Sequence, residues 1–152
     1  MSERKRILVV DDDSSIRITI SMILEAEGYV VDAVETGKEA IEKANSNYYN
    51  LALLDYRLPD MEGTALLSTF KETTPKMVKI MVTGYPSMSN AIDSVNRKAD
   101  AFLVKPVDPA VLIQTVKSEL KKQEEAQAYS EKKVVEFIET RIKQLDKQPN
   151  TT

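Results

Sequence analysis

Asp11, Asp12 and Asp13 follow directly on the apolar run Ile7-Leu8-Val9-Val10, and Asp55 follows a second such run, Leu51-Ala52-Leu53-Leu54. A strand that ends in a carboxylate delivers that group to the rim of its sheet. Two such strands side by side crowd several negative charges into one small volume. Each like-charged pair about 4 Å apart costs about 4 kcal/mol at an effective dielectric near 20. The repulsion calls for a positive counterpart, and a hard divalent cation on oxygen ligands is the simplest one. Two more apolar runs complete the set. Met81-Val82-Thr83-Gly84 brings a hydroxyl, and Phe102-Leu103-Val104-Lys105-Pro106 brings an ammonium with a proline behind it. Mg2+ held by carboxylates with open water positions, beside a fixed cation, suits an incoming phosphate. Asp55, central in this set, is placed to attack phosphorus and form an acyl phosphate. Lys105 and the ion would neutralise the equatorial oxygens, and Thr83 would donate a hydrogen bond.

Composition removes most other chemistries. The chain of 152 residues has no cysteine and no histidine. Disulfides, thiolate metal sites and cysteine nucleophiles are therefore excluded. So are histidine general bases, Ser-His-Asp triads, most transition-metal sites and a phosphohistidine carrier in this chain. A net charge of −3 supplies no basic excess to drive general nucleic-acid affinity. The apolar runs are far too short for a membrane span, and the N-terminus lacks the apolar core of a signal peptide. The expectation is a cytoplasmic protein that binds neither nucleic acid nor membrane directly.

The elements that must position these groups follow from periodicity. Short apolar runs predict strands at 6–10, 30–34, 51–54, 78–82 and 101–104. Helical patterns predict helices at 14–27, 37–46, 62–73, 88–97 and from 108 onward. Asp13 reads as the cap of the first helix, and Gly28 as its stop. Strict alternation of this kind argues for an α/β fold, a doubly wound parallel sheet of five strands ordered 2-1-3-4-5. The strands are almost purely apolar, as strands covered on both faces should be. The topological switch falls between the first and third strands, where Asp11, Asp12 and Asp55 end up.

The set Asp11, Asp12, Asp55, Thr83 and Lys105-Pro106, each at the end of its strand, resembles the receiver domain of two-component response regulators. The resemblance covers roughly residues 5–120. It implies that Asp55 is the phosphoacceptor and that Asp12 binds Mg2+ directly with Asp11 assisting; Mn2+ is an alternative ion. It implies a third protein ligand in the backbone carbonyl of Arg57, and a Lys105 that pairs with the phosphoryl group or with Asp55. It also implies a cis Lys105–Pro106 bond and a switch pair, Thr83 and Phe102. Leu58-Pro59-Asp60-Met61-Glu62-Gly63 resembles the family's loop after the acceptor strand.

Such a domain implies a histidine kinase as donor, a phosphorelay rather than turnover of small substrates, and an output through protein contact. The first helix carries more apolar surface than one stripe can bury, so Ile16 or Met22 is expected exposed as a kinase-docking face. The readout surface would be the fourth and fifth helices with the fifth strand. Arg57 and Tyr85 flank the presumed phosphoryl group and are expected to obstruct attacking water. Residues 1–120 then form a receiver of the stand-alone, single-domain type, and 121–152 a helical extension. That extension carries Val135, Ile138, Ile142 and Leu145 at heptad spacing. Three readings stay open for it: a helix for homodimerisation or partner docking, a linker, or a separate helix starting near Ser130 that folds back. Two other functions compete, a magnesium phosphatase with an aspartate nucleophile and a scaffold that is never phosphorylated. The phosphatase would want a second acid at the position of Arg57.

Overall fold

Aliphatic runs of four to six residues are too short to bury a helix face and long enough to cross a sheet. The computed structural model, which describes residues 3–84, 87, 93 and 98–147, uses them so. The strands β1 (Arg6–Val10), β2 (Val30–Val34), β3 (Leu51–Asp55), β4 (Val78–Thr83) and β5 (Ala101–Val104) form one parallel sheet. Its order is β2-β1-β3-β4-β5, as expected. The described helices are α1 (Ser14–Ala26), α2 (Gly37–Ser46), α3 (Gly63–Thr69) and α4 (Pro109–Asp146).

Alternation along the strands divides the core. Ile7, Val9, Leu51, Leu53, Ile80, Val82 and Leu103 face α1 and α4, where Ile20, Leu24, Leu112, Val116 and Leu120 meet them. Leu8, Val10, Ala52, Leu54 and Met81 face α2 and α3, packing with Ala40, Leu66, Leu67, Tyr49 and Phe70. Each such aliphatic side chain contributes about 1.5–3 kcal/mol on burial.

Four expectations need adjustment. Strands β3 and β4 each run one residue further, so that Asp55 and Thr83 belong to the ladder and Asp55 pairs with Val82. Strand β2 is not covered on both faces: it lies at the sheet edge, and of its residues only Val34 is buried. Helix α3 stops at Thr69 rather than near 73, because Phe70 turns to extended geometry and sinks its ring into the core. The last helix runs unbroken for 38 residues, about 57 Å at the usual rise, so no separate helix folds back from Ser130. The expected helix at 88–97 (apart from Asp93), Tyr85 and the tail from Gln148 lie outside the described residues.

Gln123 marks where α4 leaves the domain. Its buried amide donates to the carbonyls of Asn50 at 2.9 Å and Lys76 at 2.8 Å, clamping the helix to the lower edge of the sheet. Beyond it the apolar residues Val134, Val135, Phe137, Ile138, Ile142 and Leu145 are all exposed.

Candidate functional site

The upper rim of the sheet gathers the expected groups. Asp11 follows β1 and is buried, while its neighbour Asp12 is exposed. Asp55 ends β3 and is 8% exposed. One carboxylate oxygen from each of Asp11, Asp12 and Asp55 lies within 4.8 Å of the others. Lys105 completes the group from the end of β5: its ammonium is 2.9 Å from Asp11 and 3.3 Å from Asp55. The Lys105–Pro106 bond is cis, as the resemblance implied.

Each group is held by its own local structure. The Asp13 side chain accepts from the Ile16 amide and starts α1, so it caps rather than ligates. The Asp13 amide in turn donates to Asp11 Oδ1 at 2.9 Å, which fixes that carboxylate. Asp55 Oδ1 accepts from the Arg57 amide at 3.4 Å, while the Arg57 side chain is exposed. The Lys105 amide donates to the Thr83 carbonyl at 2.7 Å, tying the end of β5 to the end of β4.

Electrostatics follows from this packing. Burial, then the charge of Asp11, pushes the Asp55 carboxyl up to about 6 against the opposing pull of Lys105. Burial works against the Lys105 ammonium, yet Asp11 and Asp55 together hold it above its ordinary value. One ammonium against three carboxylates gives this group of four a net charge of about −2 when all are ionised. A small, hard dication on oxygen donors fits that remainder, and Asp12, the exposed member, gives it an entry.

Thr83 and Phe102 sit differently from the carboxylates. Register pairs Met81 with Phe102 and Thr83 with Val104. Alternation therefore assigns Thr83, which is buried, to the sheet face of Met81 and Phe102, opposite that of Asp55. Phe102 is half-buried there.

The contacts made by three positions escaped sequence reasoning. Arg17 on α1 donates to the Asp11 carbonyl at 3.0 Å and pairs with Glu35 at 3.4 Å, bracing the β1 end. Asp60 accepts from the amides of Gly37 and Lys38, both at 2.9 Å, which joins the loop after β3 to the start of α2. Those two amides hold its carboxyl below the ordinary range. Gly63 leaves no room for a side chain: a Cβ would fall on the Asp55 carbonyl oxygen. Its place after Met61-Glu62 was the one available signal. On α1, Met22 and Ile18 are exposed at 66% and 55%, whereas Ile16 is half-buried. Ile16 instead lines a cavity of about 450 Å³ with Thr19, Ile20, Ile23, Pro106 and Val107, next to Lys105.

Among the described residues, no helix is long and apolar enough to cross a membrane. The family model for the response regulator receiver domain matches residues 7–117. The transcriptional regulatory protein ResD of Bacillus subtilis is 34% identical over 117 residues, which is 77% of this chain and 48% of ResD. The chain thus spans about half the length of that relative. A CheY-like receiver domain protein from Methanospirillum hungatei matches with a TM-score of 0.77 at 46% identity, over 82% of this chain and 99% of that one. A response regulator from Burkholderia pseudomallei, described with a phosphorylated aspartic acid, a calcium ion and citrate, matches with a TM-score of 0.68 at 27% identity. That match covers 83% of this chain and 72% of the other. The chain belongs to the response regulator receiver domain family.

Proposed function

We propose that this chain is the phosphoacceptor of a two-component relay, taking a phosphoryl group on Asp55 from a phosphohistidine of a partner kinase. An Asp55 carboxylate oxygen attacks phosphorus, the phosphorus–nitrogen bond breaks, and the departing imidazole nitrogen takes a proton from water. The donor must be external, because this chain has no histidine. The observation that carries the reading is the joint placement of Asp11, Asp12 and Asp55 within 4.8 Å, with the Lys105 ammonium against two of them.

Asp11, Asp12, Asp55 and the Arg57 carbonyl are the groups that would hold Mg2+, or Mn2+ in its place. The ion, when bound, offsets charge on the transferring oxygens. Lys105 exchanges part of its contact with Asp55 for the new phosphoryl oxygens. Thr83 then rotates or shifts toward the modified Asp55, and Phe102, on the same sheet face, fills the space it vacates. The cavity between α1 and the turn after β5, with exposed Ile18 and Met22 nearby in sequence, is the proposed docking surface for the kinase.

On this reading, residues 1–120 are the receiver and 121–152 an extension that contributes contacts. The protein acts in the cytoplasm, and its output passes to another protein rather than to nucleic acid directly. The relatives are regulators by name, which favours a held phosphoryl group over turnover of small esters. Incubation with a phosphorylated histidine kinase in Mg2+ tests the proposal. Transfer of label to the chain, lost in Asp55→Asn, is expected; transfer undiminished in that variant would contradict it.

A further inference from the structure

The distal half of α4 presents six large apolar side chains to water, Val134, Val135, Phe137, Ile138, Ile142 and Leu145, each between 49% and 70% exposed. Six exposed residues on one stretch of helix form a patch that calls for a partner. We infer that this segment pairs with the same segment of a second copy as a parallel, in-register, two-stranded coil. The inference does not depend on the phosphoryl chemistry of Asp55.

Spacing sets the seam. Val135 and Ile142 take the a positions, Ile138 and Leu145 the d positions. Branched residues at a with Leu145 at d favour two strands, while Ile138 at d leans toward three, so the strand number is one outcome of the test. Seam and domain also fit together around the helix. The residues that pack on the sheet, Leu112, Val116, Leu120 and Gln123, centre on one line along α4. At about 100° per residue the seam centres about 65° away from that line. A two-fold axis along the coil therefore sends the two receivers to opposite sides of it. Phe137, at a c position, stays at the margin.

Charge decides the orientation. In the parallel arrangement Arg141 at g faces Asp146 at e of the second copy, and Val134 faces Glu139. In the antiparallel arrangement that overlays a on d, Arg141 meets Arg141 and Glu139 meets Glu139. Within the chain, Arg141 reaches only Gln144 at 3.4 Å, and neither Arg141 nor Asp146 has an ion-pair partner among the described residues. Opposite charges across the parallel seam give both one. Two heptads make a weak coil, so the dimer is expected to dissociate reversibly on dilution.

The test is sedimentation equilibrium of the full chain from about 10 µM to about 1 mM, without Mg2+ or any phosphodonor. A monomer–dimer equilibrium is expected, weakened at least tenfold by Ile138→Glu with Ile142→Glu while sheet and α1 signals are unchanged. The chain lacks cysteine, so single cysteines report register cleanly. Ile142→Cys should oxidise to a disulfide dimer with itself. A chain monomeric throughout, a dimer indifferent to the double glutamate change, or a trimer would overturn the inference. So would efficient cross-linking of Ile138→Cys to Ile142→Cys with none of Ile142→Cys to itself. All these outcomes leave the phosphoacceptor reading untouched.

Discussion

The Lys105 ammonium lies 3.3 Å from the Asp55 carboxylate, so the proposed acceptor already has a cation beside it. That contact is incomplete relief. Burial and the charge of Asp11 still hold the Asp55 carboxyl near about 6.

The consequence is a pH dependence with a definite sign. Asp55 takes up a proton more readily folded than unfolded. Its contribution to stability is therefore full below about 3.8 and is lost as pH rises through about 6. Urea unfolding in the presence of a chelator should show a midpoint that falls between about pH 4 and about pH 6. The same titration of Asp55→Asn should lack that fall, and the variant should be more stable than wild type at pH 7.5 by about 1–2 kcal/mol.

Metal affinity runs the other way. A dication needs the deprotonated carboxylate, so on the proposed reading Mg2+ binding should weaken below about pH 6. Calorimetric titration at pH 5 should give an affinity about tenfold lower than at pH 7.5.

Lys105→Met removes the ammonium and leaves three carboxylates facing one another. Mg2+ should then bind more tightly, by about tenfold, since a positive neighbour of the ion is gone. Without metal the variant should be less stable than wild type. Calorimetry and urea unfolding, each with and without Mg2+, check both directions.

Much of the fold was legible because the strands are short aliphatic runs with sharp ends. The runs at 6–10, 30–34 and 101–104 and the helix at 37–46 appear with the boundaries their patterns predict. The partnership of Asp11, Asp12, Asp55 and Lys105 was legible because each follows a strand on the same rim. What stayed hidden depends on contacts far apart in sequence. Gln123 clamps α4 through the carbonyls of Asn50 and Lys76, and nothing local to a glutamine in a polar helix announces that. Arg17 reaches the Asp11 carbonyl only because the turn of α1 brings it there. The early end of α3 follows from where Phe70 finds room in the core, a tertiary effect that overrides helix propensity.

Gly63 gives a structural prediction. A methyl group there would collide with the Asp55 carbonyl oxygen, so either β3 or the start of α3 must shift. Gly63→Ala should lower stability by about 2–3 kcal/mol in urea unfolding. It should also slow labelling by acetyl phosphate, although no carboxylate is altered.

The most direct measurement is peptide mapping by mass spectrometry after treatment with acetyl phosphate in saturating Mg2+. One phosphoryl group on the peptide carrying Asp55, absent when the metal is chelated and absent in Asp55→Asn, is the expected result. An unmodified Asp55 peptide, or equal modification in the presence of chelator, would contradict the assignment of this rim as a metal-assisted phosphoacceptor.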